Sequence, residues 1–236
     1  LLAVMKHVRF AAMAEGFVRE TVGAWPALRS VEGQSMLFNA VLPTVGDTKV
    51  VPRWGFGARL IYVVGGNGVG GDEAICTLEL YDPQAASWTQ RAGMAGSCAY
   101  HGCVALEGKL YAVGGVGVAD QLLDTAEVYD PQTDGWQPLA KMSTARFVLG
   151  LAAVGGKLYA IGGSDCDTAL ELVEAYDPQL GAWAPVASMG AKREAHASVL
   201  LGGKIYAMGG YGDGLVDTVE VYDPQADSWQ QVASMP

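Results

Sequence analysis

An all-β fold of radially repeated four-stranded sheets, with a short helical segment before it, is what this sequence predicts, and three observations predict it. The tetrapeptide Tyr-Asp-Pro-Gln occurs four times, at 81–84, 129–132, 176–179 and 222–225. Each tyrosine is followed after seven residues by a tryptophan (Trp88, Trp136, Trp183, Trp229), and each tryptophan after six by a methionine (Met94, Met142, Met189, Met235). Upstream of every copy an apolar run ends in a glycine pair, at 65–66, 114–115, 162–163 and 209–210. The aligned tyrosines 62, 111, 159 and 206 give periods of 49, 48 and 47 residues, and self-similarity of this kind fixes the architecture as a repeat array.

The second copy shows how each repeat divides. Residues 102–106, 110–113, 125–129 and 136–140 are short β-favouring runs, separated by Glu-Gly-Lys, by a glycine-rich loop and by Asp-Pro-Gln-Thr-Asp-Gly. Proline has a fixed φ and no amide to donate, so the Asp-Pro turn stops the third strand and starts the fourth. The glycine pair ends the second strand where backbone passes close to backbone or takes a positive φ. Between the second glycine and the tyrosine the spacing runs 15, 14, 13 and 12 residues, and a segment that changes length between fixed flanks reads as an exposed loop. Four antiparallel strands repeated about an axis make the blades of a propeller, with tyrosine and tryptophan filling the wedges between them.

Five elements in register, from the Gly-Lys turn (108–109, 156–157, 203–204) through the terminal methionine, resemble the kelch motif over roughly residues 54–236. The resemblance implies an all-β kelch-type β-propeller. Four blades are present, at about 58–94, 95–142, 143–189 and 190–236, as part of a six-bladed ring. The first copy looks incomplete: where its inner strand and Gly-Lys turn are expected stands Val-Pro-Arg-Trp-Gly-Phe-Gly-Ala-Arg (51–59).

Residues 1–42 lack period-two alternation and hold helix-compatible stretches at about 1–14, 15–23 and 29–41, broken at Trp25-Pro26. Val8-Arg9-Phe10, Met13, Phe17-Val18, Thr21-Val22 and Leu37-Phe38, lying directly before a kelch array, resemble the end of a BACK domain. Residues 1–43 are therefore expected to be the C-terminal part of a BACK-like helical domain, 44–57 a linker, and the chain a fragment of a BTB-BACK-kelch protein without its BTB domain.

Composition narrows the classes. Half of the residues are hydrophobic, yet apolar runs are broken well short of the ~20 residues a membrane helix needs. The four cysteines (76, 98, 103, 166) fall at different places in their repeats and suggest no disulfide framework, so a reducing compartment is expected: the cytoplasm, with cytoskeleton and nucleus as alternatives. The first 53 residues carry a net charge of +2 and the remainder −12, which argues against binding a phosphate backbone. Much of that acidity is architectural, since Asp82, Asp130, Asp177 and Asp223 sit in turns and Glu79, Glu127, Glu174 and Glu220 recur two residues before each tyrosine.

No catalytic constellation is legible. The sequence has no Gly-x-Ser-x-Gly elbow, no phosphate-binding loop before a helix and no His-Glu-x-x-His. Gly65 to Gly71 is glycine-rich but joins strands. Cys98, His101 and Cys103 lie close in sequence, but with Cys103 inside an inner strand they need not converge, and no fourth zinc ligand follows at the usual spacing. An exposed Cys98 would be open to redox chemistry only with a depressed pKa. Neither metal nor cofactor is expected, and some kelch proteins that are enzymes need a further ligand set not found here.

Recognition remains. In a propeller the loops joining blades and those after the glycine pair gather on one face around the channel. By register, Asn67, Val116, Ser164 and Tyr211 follow the glycine pairs, and Cys98, Arg146 and Arg193 stand four residues past the repeat methionines. An arginine there resembles the position that, in ubiquitin-ligase adaptors of the kelch family, contacts an acidic peptide motif, and Cys98 departs from it. Arg146 and Arg193 with Lys192 would hold a carboxylate, unless the arginines instead tie the inner strand to a blade glutamate. Tyr100, Phe147, His101, His196 and Tyr211 stand beside them as aromatic contacts. The resemblance implies a substrate-recruiting adaptor of a cullin-RING ubiquitin ligase, its propeller holding a protein or peptide and its BTB segment the cullin. Alternatives are an actin-binding cytoskeletal kelch protein and an enzyme on a kelch scaffold.

Overall fold

The computed structural model describes residues 40–43, 59–67, 74–96 and 98–235. These form four four-stranded antiparallel sheets, each with its strands side by side in chain order. The first sheet holds β1 (Ala40–Pro43), β2 (Arg59–Asn67), β3 (Ala74–Asp82) and β4 (Ser87–Arg91). The second holds β5 (Gly102–Leu106), β6 (Lys109–Val113), β7 (Ala126–Asp130) and β8 (Gly135–Pro138). The third is β9 (Gly150–Val154), β10 (Lys157–Ile161), β11 (Val173–Asp177) and β12 (Ala182–Val186). The fourth is β13 (Ala197–Leu201), β14 (Lys204–Met208), β15 (Val219–Asp223) and β16 (Ser228–Val232). One 3-10 turn, Val118–Asp120, interrupts the loop of the second sheet. The inner strands β1, β5, β9 and β13 pack in succession, which is the propeller arrangement.

The repeat motif explains this geometry residue by residue. In each Asp-Pro-Gln turn the aspartate Oδ1 accepts the amide two residues on, at 2.8 Å for Asp82, 2.9 Å for Asp130 and Asp177 and 3.0 Å for Asp223. Tyrosine and tryptophan of one copy face each other across the last two strands, with ring centroids 4.9–5.3 Å apart. The tryptophan also reaches the preceding blade: the indole N–H groups of Trp136, Trp183 and Trp229 donate to the carbonyls of Ala92, Ala140 and Ala187 at 2.8–2.9 Å. Apolar clusters cross every blade junction, Tyr62 meeting Tyr129 and Tyr159 meeting Tyr222. Full burial of such a side chain is worth roughly 1.5–3 kcal/mol, so these wedges hold the array together.

The glycine pair does both things its residue type allows. Gly114 and Gly115 have φ of 66° and 99°, and a Cβ at either would lie 2.5 Å from a carbonyl oxygen, that of Arg146 or of Ala99. A larger residue is therefore excluded by conformation and by space.

The structure corrects two expectations. The stretch expected to be helical over 29–41 gives up its last residues, because Ala40 and Val41 open β1 and pair with Tyr62 and Ile61. The first blade thus has its inner strand, supplied from upstream of the 51–59 segment. Pro43 ends this edge strand, where a missing amide costs no ladder bond. The expected BACK-like segment up to residue 39 and the 44–57 linker lie outside the described residues. No helix among the described residues is long and apolar enough to cross a membrane.

Candidate functional site

The antiparallel order puts the loops between second and third strands (114–125, 162–172, 209–218) at the same end of the sheets as the blade-joining segments (92–101, 139–149, 187–196). Hydrogen bonds between backbones lace this face together. The amides of Gly66, Gly115 and Gly163 donate to the carbonyls of Cys98, Arg146 and Arg193 at 2.8–2.9 Å, and isolated bridges join Ala99 to Val116, Phe147 to Ser164 and Glu194 to Tyr211. A second chain of bonds runs from blade to blade, Val148 N–H to Tyr100 carbonyl and Ala195 N–H to Val148 carbonyl, both 2.9 Å. Tyr100, Val148 and Ala195 have φ of 58°, 45° and 49°. The left-handed region is costly for a β-branched valine and persists only where neighbours over-determine it, as these bonds do.

Arg146 and Arg193 are structural, which corrects the rim reading. Both are fully buried. Arg146 donates to the Gly162 and Leu172 carbonyls at 3.1 and 2.9 Å and to Glu174 Oε1 at 2.7 Å, and the other Glu174 oxygen accepts the Ser143 amide. Arg193 repeats the pattern with Gly209, Thr218 and Glu220, its ion pair at 2.8 Å. Their donors are occupied inside the fold, so a partner's carboxylate has nothing to displace.

In the second blade the same place holds Cys98. It too is buried, against the Met94 sulfur at 3.7 Å, so the condition for redox chemistry, an exposed thiol, is not met. Burial, reinforced by Glu127 and the neighbouring thiols, pushes it up to about 12, away from the thiolate a reactive cysteine needs. Among the described residues, no three His, Cys, Asp or Glu side chains are grouped to hold a metal.

Of the other residues expected at the face, His101, His196 and Ser164 are buried in the blade junctions instead of lining it. Desolvation lowers both imidazoles to about 4, so they are neutral near pH 7. Ser164 donates its hydroxyl to the Thr168 carbonyl. The remaining five are at least partly exposed. Asn67 donates its side-chain amide to the Tyr100 hydroxyl at 3.1 Å, and Tyr100 meets Phe147 edge-on at 6.4 Å. Lys192 is partly exposed, and Tyr211 is 55% exposed.

Sequence reasoning missed the loop interiors. Leu215, Val118 and the acids Asp167, Asp213 and Asp217 are all exposed. Their only signal was the variable gap after the glycine pair, which marked the loops without choosing residues within them.

Four successive four-stranded blades whose loops are fixed by backbone bonds, with the two aligned arginines spent on internal ion pairs, define a propeller that presents a surface. The KLHDC2/KLHL20/DRC7 kelch-repeats domain matches residues 58–236, and the chain belongs to this kelch-repeat family, whose propellers are protein-interaction domains. No curated protein matches the chain.

Proposed function

We propose that this chain is the partner-binding propeller of a substrate-recruiting adaptor, which receives a protein through its loop face while a BTB segment holds the cullin scaffold of a RING ubiquitin ligase. The observation that carries the reading is the contrast within the loop face: its backbone is pinned blade to blade, while the loops it displays differ in length and expose Tyr211 and Leu215. A rigid frame with variable, partly apolar tips suits recognition, because little ordering entropy is lost on binding. The adaptor role rests on the resemblance of the segment before residue 40 to the end of a BACK domain, and the resemblance to the kelch motif implies a six-bladed ring. Asn67, Tyr100, Phe147, Lys192 and Tyr211 remain as partner contacts. Such an adaptor acts in the cytoplasm.

Proximity labelling with the intact parent protein, with and without Tyr211→Ala and Leu215→Asp, tests the reading. Cullin and a set of proteins lost on these substitutions are expected. Actin as the main labelled protein, with cosedimentation on filaments, would favour the cytoskeletal alternative; an unchanged set would remove the loop face from recognition.

A further inference from the structure

We infer that the loop face of the third and fourth blades docks a basic, extended segment of a partner protein, its apolar side chains lying on Tyr211 and Leu215. The inference rests on the reading of this face as the recognition surface and adds the chemistry of what it receives. Tyr211 is 55% and Leu215 80% exposed, and the two residues are bridged to each other in one loop. That loop is held by the Val216 amide on the Gly210 carbonyl and the Gly212 amide on the Gly214 carbonyl, at 3.0 and 2.9 Å. Two large apolar side chains are thus displayed on a fixed backbone, Tyr211 standing at the register position where the third blade carries the buried Ser164.

Charge selects the occupant. The side chains of Asp167, Glu194, Asp213 and Asp217 on these loops form no ion pair with any described residue. Glu194 is bonded through its backbone to Tyr211, so the carboxylates and the apolar pair belong to one surface. On the cationic side, the loops of these two blades hold Lys141, which is paired with Asp124, the two buried arginines, and Lys192, whose charge acts on Asp165. With the arginines neutralised by Glu174 and Glu220, the face is negative. An acidic segment would meet repulsion there, whereas lysine or arginine side chains beside a leucine or aromatic would complement both the charge and the apolar pair.

Panning a random-peptide display library on the intact chain, and repeating it on Asp213→Lys/Asp217→Lys and on Tyr211→Ala/Leu215→Asp, tests this. Expected are peptides carrying several Lys or Arg with at least one large apolar residue. Their affinity should fall about tenfold or more on charge reversal and fall again between low and physiological salt. The exposed sites should leave the melting temperature unchanged. Enrichment of acidic or neutral peptides that still depend on Tyr211 and Leu215 would overturn the basic-segment inference and leave the recognition face standing. Peptides indifferent to both variants would overturn the face as well.

Discussion

The second blade and its two successors solve one problem differently. In the third and fourth blades a glutamate on the third strand is buried, and an arginine from the blade-joining segment neutralises it. In the second blade Glu127 accepts the Ala95 amide at 3.1 Å, as Glu174 accepts that of Ser143, but Cys98 replaces the arginine. The backbone does not notice, since the Cys98 carbonyl accepts from Gly66 as the Arg146 carbonyl does from Gly115. What changes is solvation, because Glu127 is only partly buried. A carboxylate that keeps some water needs no counter-ion; one sealed in a blade junction does. The arginine is therefore a requirement of burial at that position rather than of the fold.

The largest effect follows from that difference. Arg146→Cys or Arg193→Cys should strand a buried carboxylate and cost about 3–5 kcal/mol, read as a drop in urea midpoint at unchanged m. Cys98→Ala, which strands nothing, should cost far less. In the reverse exchange, Cys98→Arg places a guanidinium where Glu127 can accept it, and the protein should remain folded with its stability shifted by less than either arginine loss. Should Cys98→Arg unfold the chain while Arg146→Cys is tolerated, the blades are not equivalent in the way their hydrogen bonds indicate.

The histidines sharpen the comparison along another axis. His101 and His196 occupy one register position, and the third blade places Leu149 there, buried like them. Burial lowers both imidazoles from 6.5 to about 4. Between those values the unfolded chain takes up protons that the folded chain refuses, so stability falls as pH drops from about 6.5 to 4, by up to roughly 3 kcal/mol per histidine, and levels off below. Lowered aspartates such as Asp134 and Asp227 act in a separate window, holding stability above their unfolded pKa near 4 and losing it at more acid pH. His196→Leu, which copies the third blade, should remove about half of the loss seen between pH 6.5 and 4.5 in thermal melts. An unchanged slope would mean that His196 is not the sealed, neutral group its surroundings make it.

Much of this was legible in the sequence. The second-copy strands expected at 102–106, 110–113, 125–129 and 136–140 differ from β5–β8 by at most two residues at any end, because glycine, proline and aspartate fix where a strand stops. The functional side was less legible. Register placed Arg146 and Arg193 in the blade-joining segments, where their backbones do meet the loops after the glycine pairs, but a long side chain can turn outward to solvent or inward to a strand. The periodic glutamates, Glu174 and Glu220, were the signal for turning inward, and their meaning depends on burial, which spacing does not reveal. β1 was missed because four apolar residues ending in proline carry no period that separates strand from helix.

The smallest expected effect concerns a turn. Asp134 and Asp227 each accept a hydrogen bond from the tyrosine hydroxyl five residues earlier, at 2.7 Å, and another from an amide of the preceding blade, Ala92 or Ala187. At the same position the third blade has Gly181, with φ of 64°. Aspartate adopts the left-handed region there at φ of 49° and 45° in the two other blades, and a Cβ on Gly181 would meet nothing within 4 Å. Gly181→Asp should therefore give Tyr176 and the Ala140 amide the acceptor that their counterparts have, while reducing the freedom of the unfolded chain. A rise in melting temperature of a few degrees at most is expected, largest near neutral pH and reduced to the unfolded-state part below about pH 4, when the new carboxylate takes up its proton. The pH dependence is the discriminating readout. A gain undiminished in acid would come from unfolded-state entropy alone, whereas a loss at neutral pH would show that the third blade's turn departs from the other two.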